Sequence, residues 1–207
     1  MTRKPDQHHI VALPHAKAAT RHTHIAAFRA YWTSMRCNGD VPRRSDIDPR
    51  GIEPLLGNAL IAERVAPGLA RLRIAGTHLS DLMGMEVRGM PISAFIDPAD
   101  RDRLASLLSD LFERPARVTL HLDAAGGLGR PALTGQMELL PLRSDLGDIS
   151  RALGCLVTSG LPGRTPRRFR ITSAQVMPVD VMPVEVRPVD LLSHRPPTQA
   201  SHPICGW

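Results

Sequence analysis

The stretch from Arg71 to Phe112 constrains the fold of this chain more than any other. It reads RLRIAGTHLSDLMGMEVRGMPISAFIDPADRDRLASLLSDLF, a strand pattern followed by two helical patterns that a glycine joint separates. Two structures have this order of elements. One is a phosphate-binding loop, in which glycines follow a strand and open a helix. The other is the wall of a small-molecule pocket, in which short helices pack across a sheet.

The glycines of this stretch do not fit a phosphate loop. Such loops need G-x-x-x-x-G-K-[ST], or G-x-G-x-x-G at the start of a crossover helix. The segment AGTHLSDLMG at 75–84 has no lysine and opens a very short helix. The later GGLG at 126–129 lies between two strand patterns instead of ahead of a helix. We therefore favour the pocket interpretation.

Strand patterns lie on both sides of this stretch. Two of them flank an APG turn and predict a hairpin, and three more follow the long helix that begins at Asp97-Pro98. The order, two strands, three helices and three strands, predicts an α+β fold: a five-stranded antiparallel sheet with helices packed on one face. The predicted strands lie at residues 59–65, 69–75, 118–122, 134–142 and 152–158.

Residues 1–22 show no stable periodicity, so we predict a disordered leader there. Histidines are frequent at this end, and a metal-binding tract is one interpretation, but no cysteine or carboxylate cluster completes a ligand set. Residues 23–160 form the predicted domain, and they open with a leading helix that Phe28 and Trp32 anchor. These two aromatic side chains would lie either in the core of one chain or in the interface of a homodimer.

The sequences YWTSMRCNGDVPRRSDIDP and RLRIAGTHLSDLMGMEVRG resemble a PAS-type family of bacterial proteins. In that family a leading helix with Tyr-Trp precedes a Pro-x-Arg-Ser-Asp-Ile-Asp-Pro turn. The resemblance runs from Tyr31 to Gly160 and implies sensing or protein interaction, without naming a signal. The chain lacks the Asn-Cys-Arg-Phe-Leu-Gln signature of flavin photosensors, and it shows no kinase, cyclase or helix-turn-helix output segment. Any output would run through a partner, an unidentified signalling protein.

Charge and composition exclude several classes of protein. The net charge is +6, but residues 37–160 hold 14 arginines against 16 acids, so the basic excess lies at the two ends. A domain that reads nucleic acid carries its basic patch on the folded part, and we expect no specific nucleic-acid binding. No apolar run is long enough for a membrane span, and Cys37, Cys155 and Cys205 form no metal or redox motif. We expect a cytoplasmic protein.

The ligand pocket, if there is one, would lie between the sheet and its helices. The same apolar residues would also fill a core without a ligand, and both interpretations stay open. His78, at the start of a pocket-side helix, is a candidate haem ligand, although a capping or surface role is the commoner one. Aromatic residues make up 3% of the chain, which leaves few rings to stack on a flavin, and the sequence identifies no cofactor. The expected lining is Leu82, Met83, Met90, Phe95, Leu107, Leu111, Leu120, Met137 and Leu139.

These features predict a non-catalytic PAS-type sensory or regulatory protein that acts through protein–protein interaction. The residues suggest no catalytic site and no metal site, because no nucleophile, base and orienting group are spaced as a catalytic set. The first alternative is a haem- or metabolite-binding sensor whose ligand is essential. A further alternative is an enzyme of a type that the sequence does not reveal.

Residues 161–207 differ in composition from the domain and are predicted to form a low-complexity tail. Within them MPVDV, MPVEV and RPVDL follow one another at 177–191, a unit of the form x-Pro-Val-acid-aliphatic. A proline in every fifth position prevents a continuous helix. The tail is either an extended linker or a repeated motif that docks on a partner, where linked copies would raise avidity.

Overall fold

The structure, a computed structural model, describes residues 14–180 of the 207 in the chain. Its helices are α1 (Pro14–Ser34), α2 (Thr77–Met83) and α3 (Arg101–Glu113), and short 3-10 turns connect them to the strands. The longest of these, Pro49–Asn58, is called the 3-10 segment below. None of the described helices is long and apolar enough to cross a membrane.

Six strands form one antiparallel sheet in the order β2-β1-β5-β4-β3-β6. Their order and the helical elements between β2 and β3 confirm the predicted α+β fold class, but the predicted number of strands, five, is one too few. The strands are β1 (Ala59–Ala66), β2 (Leu69–Ala75), β3 (Ala116–Ala124), β4 (Leu133–Arg143), β5 (Ile149–Ser159) and β6 (Arg170–Pro178).

The additional strand, β6, lies within the segment 161–207 that the sequence predicts to be a tail. It pairs with β3 from Arg170 to Pro178 at the edge of the sheet. An edge strand has a single neighbour, and in β6 Ile171 is the only residue that is fully buried. Its sequence therefore lacks the apolar alternation by which the other strands are recognised. The sheet consequently extends beyond the predicted domain end at Gly160.

Helix α1 begins at Pro14, inside the segment 1–22 that the sequence predicts to be a disordered leader. Helix α1 therefore shares nine residues with that segment, and these lie upstream of the apolar stripe from which the sequence predicts the leading helix. The rest of the predicted leader, and the tail beyond Asp180, lie outside the described residues. Apart from these corrections the predicted domain limits stay predictions.

The two faces of the sheet are both covered. Helices α2 and α3 pack on one face and enclose the helix-face core, which includes Leu72, Leu82, Phe95, Leu108, Leu120 and Met137. Helix α1 and the 3-10 segment pack on the other face and enclose the outer-face core, which includes Phe28, Trp32, Ile61, Leu140, Leu153 and Cys155. Successive residues of a strand point to opposite faces. Strands β4 and β5, in which most residues are buried, supply both cores at once.

Candidate functional site

The nine residues predicted to line a pocket come together on the helix-face side of the sheet. Eight of them are buried members of the helix-face core, and Met90 packs against it with partial exposure. Six, including Leu111 and Met137, have no exposed surface. Three cavities that described residues border are lined by other side chains. The nine residues thus form one apolar cluster, and its capacity for a ligand stays a prediction.

The candidate haem ligand His78 lies on α2 and is half-buried. Its Nε2 atom is 3.0 Å from Oγ1 of Thr158 on β5, within hydrogen-bond distance. Burial lowers the pKa of His78, and the nearby carboxylate of Asp81 opposes that shift. A neutral imidazole can bind a metal, but Nε2 of His78 is already hydrogen-bonded to the Thr158 hydroxyl. Within residues 14–180 no three His, Cys, Asp or Glu side chains come together as a metal site.

The two aromatic residues of the leading helix are buried in a single chain. Phe28 and Trp32 have exposures of 0% and 1%, and both belong to the outer-face core. The indole Nε1 of Trp32 donates to the carbonyl oxygen of Pro141 at 2.9 Å. The guanidinium of Arg36 lies over the ring, 5.3 Å from its centroid, within the range of a cation–π contact. This is the core arrangement, and the dimer-interface hypothesis stays a prediction.

The Tyr-Trp pair and the turn that follows it are one structural unit. The hydroxyl of Tyr31 donates to the carbonyl oxygen of Asp48 and accepts from the amide of the same residue, both at 2.8 Å. The Asp48 carboxylate caps the 3-10 segment by accepting from the Arg50 amide at 3.0 Å. A side chain at Gly51 would put its Cβ 2.1 Å from the Tyr31 ring, so the turn passes directly over that ring.

A buried carboxylate, Glu138, joins α1 to the middle of the sheet. Its side chain has no exposed surface, and Arg29 donates to both of its oxygens, at 2.8 and 3.1 Å. Thr119 of β3 donates to one of them at 2.7 Å. The hydrogen bond to Glu138 raises the pKa of Arg29. Sequence reasoning missed this pair, although an acid within an apolar strand that is buried on both faces is itself a signal for a buried partner.

The outer-face core also contains a buried thiol. Burial raises the pKa of Cys155 to about 12, and the negative charge of Glu138 adds to that shift. A thiol with such a pKa is protonated at neutral pH, and only the thiolate is a good nucleophile. Cys37, by contrast, is exposed at the end of α1. The buried cysteine is therefore a core residue in its chemistry as well as in its position.

A second apolar site, which the sequence did not predict, opens on the outer face. It lies between the 3-10 segment and the β1–β2 hairpin, has a volume of about 180 Å³, and is called the outer cleft here. Leu56 and Ile74 stand at its mouth with exposures of 41% and 48%, and Arg44 stands at its rim. Its lining residues are Arg44, Ile47, Pro49, Ile52, Leu56, Ala59, Leu60, Ile61, Ile74, Ala75, Gly76 and Leu153.

Gly76 explains why a glycine follows the strand β2. A Cβ atom at this position would lie 2.3 Å from the carbonyl oxygens of Leu56 and Gly57. The chain that leaves β2 thus passes against the end of the 3-10 segment with no space for a side chain, and it closes one end of the outer cleft. The glycine serves a close backbone contact, in agreement with the rejection of a phosphate loop.

An antiparallel sheet with short helices inserted between its second and third strands, and with no large second domain among the described residues, defines a single α+β domain. The chain matches the family model described as "PAS domain" over residues 20–157. It belongs to the PAS domain family. Membership indicates a sensory or regulatory role, and the match ends before β6 begins.

The solved structures that match this chain include light-oxygen-voltage (LOV) receptors. The light and dark states of the blue-light photoreceptor Aureochrome1 LOV share 13% and 15% identity with this chain and have TM-scores of 0.37 and 0.39. They cover 54% and 60% of this chain, which spans 88% and 89% of theirs. An RNA-binding Light-Oxygen-Voltage receptor shares 19% identity at a TM-score of 0.36; the match covers 76% of this chain and 36% of the receptor. No curated protein matches the chain.

Proposed function

We propose that this protein is a non-catalytic PAS-type regulator that acts through protein–protein interaction, with the outer cleft as its contact surface. The observation that carries the proposal is the mouth of the cleft. Leu56 and Ile74 leave apolar surface exposed beside a concave apolar site. Exposed apolar surface that polar groups surround is typical of interaction sites.

The charge around the cleft indicates the chemistry of the partner. Arg44 is the one charged residue among those that line the cleft. The neighbouring acids Asp46 and Asp48 accept hydrogen bonds from backbone amides of the same turn and do not line it. We therefore expect the partner to insert an apolar side chain with an acidic residue beside it that faces Arg44.

The absence of catalysis is part of the proposal and rests on the state of the reactive groups. The buried nucleophile Cys155 is held as a thiol by its raised pKa, and His78 has Thr158 as its hydrogen-bond partner. Neither residue lines the outer cleft. A nucleophile and a general base within hydrogen-bond reach of each other are what covalent catalysis needs, and these two residues do not provide them.

Negative charge introduced at the cleft mouth tests the proposal. The full chain with Leu56→Glu and Ile74→Glu should fold as the wild type does, because both side chains reach solvent, and should lose partners that co-purify with the wild type from its source cells. The matched control is Leu128→Glu, at a position with 99% exposure in the β3–β4 connection. Quantitative mass spectrometry of the bound proteins supplies the comparison. Identical partners on the cleft variant and the wild type would contradict the proposal.

A second candidate function, a sensor with an essential haem or metabolite, is favoured by one observation. The nine predicted pocket residues form a continuous apolar cluster on the helix face, and His78 lies on the helix that borders it. If the cluster holds a ligand, Met83→Trp or Leu139→Trp should expel it while the fold survives. An absorption spectrum would show a Soret band for haem, lost in His78→Ala, and native mass spectrometry would show a colourless ligand. A purified protein with neither would rule this candidate out.

A further inference from the structure

The chain contains one short sequence three times, and the structure shows the first of these copies. Read from Val176, three consecutive units have the form Val-x-Pro-Val-acid: VMPVD at 176–180, VMPVE at 181–185 and VRPVD at 186–190. The described residues end at Asp180, with the first unit complete. Its contacts show how such a unit binds this domain.

The first unit begins as the end of an edge strand. Val176 pairs with Val118 of β3, and Pro178 pairs with Ala116, which is the first residue of β3. Proline has no amide hydrogen and is tolerated at the edge of a sheet. Strand β6 accordingly ends at Pro178, and the chain turns there towards the outer face. The proline position of the unit thus marks the point at which pairing stops.

Val179 is the residue that anchors the unit to the domain. Its amide donates to the carbonyl oxygen of Pro115 at 2.8 Å. Its side chain is 9% exposed and belongs to the outer-face core, together with Trp32. One step further, Nη2 of Arg36 donates to the carbonyl oxygen of Asp180 at 3.1 Å. The unit is therefore held by one buried valine, by two hydrogen bonds to its backbone, one of them from the Arg36 side chain, and by its strand pairing.

The surroundings of the bound unit favour an acid at its last position. Burial lowers the pKa of Arg117, and the positive charges of Arg29 and Arg36 lower it further, against the effect of Glu138. The Arg36 guanidinium reaches the carbonyl oxygen of Asp180, so a positive charge lies beside the last position of the unit. A negative side chain at that position is attracted by this charge. All three units have Asp or Glu at that position.

The three units keep the residue that the first unit buries. The fourth position is valine in all three, and Val179 is buried. The second position is Met, Met and Arg, and in the first unit the Arg117 guanidinium donates to Sδ of Met177 at 3.1 Å. The second unit has methionine at this position and the third has arginine, so the contacts of the first unit suit the second unit better than the third.

We propose that the groove along Pro115, Ala116 and the end of α1 is a binding site for Val-x-Pro-Val-acid sequences, and that the second unit of the same chain is its alternative occupant. In that state Val184 takes the place of Val179, and residues 176–180 loop out while β6 stays paired up to Gln175. A loop of five residues costs little closure entropy. Recruitment of a unit from another molecule would cost the freedom of a whole protein, so the same chain supplies the occupant.

Space beside the bound unit allows this exchange. A cavity of about 400 Å³ flanks it, bordered by Asp110, Arg114 and Pro115 on one side and by Val176, Pro178 and Val179 on the other. Each exchange moves the remaining tail by one unit without loss of the buried valine. The site thus holds the tail at one of several registers, and the units outside the groove stay available to other binders.

Unfolding of valine variants in the full chain tests the exchange. Val179→Ser should shift the denaturation midpoint only slightly, because Val184 replaces it, and Val184→Ser alone should cause no shift. The variant that combines Val179→Ser, Val184→Ser and Val189→Ser should unfold at clearly lower denaturant, a non-additivity that independent sites do not show. The proposal fails if Val179→Ser is already as unstable as the triple variant, or if the triple variant is as stable as the wild type. Alanine in place of serine repeats the series if a serine variant does not fold.

A peptide of residues 181–190 gives a second readout. It should bind saturably to the full-length triple variant, whose own units lack the anchor, and more weakly to the wild type, whose groove is occupied. The same peptide with Val184→Ser and Val189→Ser is the matched control and should not bind. Lack of binding by the unmodified peptide would overturn the proposed site. Sedimentation of the Val179→Ser variant should show a monomer; a dimer that requires Val184 would overturn the same-chain assignment.

Discussion

The two faces of the sheet are built from different chemistry. On the helix face, buried aliphatic and aromatic side chains fill the space between β1–β5 and helices α2 and α3. On the outer face, the apolar core also borders the buried acid Glu138 and the ion pair between Arg143 and Asp40, whose closest atoms are 2.9 Å apart. The outer cleft and the bound tail unit lie on that same face. The larger apolar core thus lies on one face of the sheet, and the two candidate contact sites lie on the other.

The difference has an energetic meaning. Apolar burial is non-directional and scales with the area removed from water. A buried ion pair offsets a large desolvation cost only when its geometry is good, so it contributes little net stability but constrains how its elements fit together. The helix face, which has the larger apolar core, accordingly supplies more of the free energy of folding. On the outer face the Arg29–Glu138 pair determines where α1 lies on the sheet, and this in turn positions the groove for the tail.

The largest effect should come from the helix face. Leu111→Ala removes a side chain with no exposed surface from the helix-face core, and we expect a loss of about 2–5 kcal/mol, as for other buried leucines. Chemical denaturation measures it, and Leu128→Ala, at a fully exposed position, is the control. A midpoint that both variants share with the wild type would mean that α3 does not pack as described.

A smaller effect should come from the buried pair on the outer face. Arg29→Met leaves Glu138 buried with Thr119 as its remaining side-chain partner, and we expect a loss of about 1–3 kcal/mol, since part of the Arg29 side chain is exposed to solvent. The variant with Arg29→Met, Glu138→Leu and Thr119→Val should recover most of that loss, because no charge stays unpaired. If the single variant is as stable as the wild type, water reaches Glu138 and the pair does not anchor α1.

The contrast between the faces also explains what the sequence could predict. Strands β1–β5 and the helix start at Asp97 follow local rules of alternation and capping, and the structure has them where expected. Strand β6 escapes those rules, because Ile171 is the one residue that it buries. The outer cleft brings together residues from Arg44 to Leu153, which only the folded chain places side by side. The local sequence pattern therefore predicts helices and strands, but it does not predict a site that is formed by residues far apart in the chain.

The Arg29–Glu138 pair is a second case in which the local sequence pattern is insufficient. Glu138 alternates with Met137 and Leu139, so on a simple two-faced strand it would point to water. That inference fails because α1 covers the outer face at this point. Once a strand is apolar on both faces, as β4 is around Leu140 and Leu142, an acid among those residues has to be read as buried and its partner sought on another element.

The smallest effect should come from His78, which lies on α2 and contacts Thr158 near the end of β5. Burial lowers its folded-state pKa below the unfolded value of 6.5. Between these two pKa values the unfolded chain binds a proton that the folded chain does not, so stability rises with pH across this window. The contribution is complete above pH 6.5 and is lost as the pH falls through the lower, folded-state pKa.

The denaturation midpoint should therefore fall between pH 8 and pH 5. The part of this fall that is due to His78 should correspond to the uptake of less than one proton on unfolding. His78→Gln, which keeps a side-chain group able to hydrogen-bond to Thr158, should flatten that decline while leaving the stability at pH 8 near that of the wild type. A decline of equal steepness in the wild type and in His78→Gln would show that the imidazole is solvated in the folded state, and it would remove the main reason for considering this histidine as a ligand of a buried group.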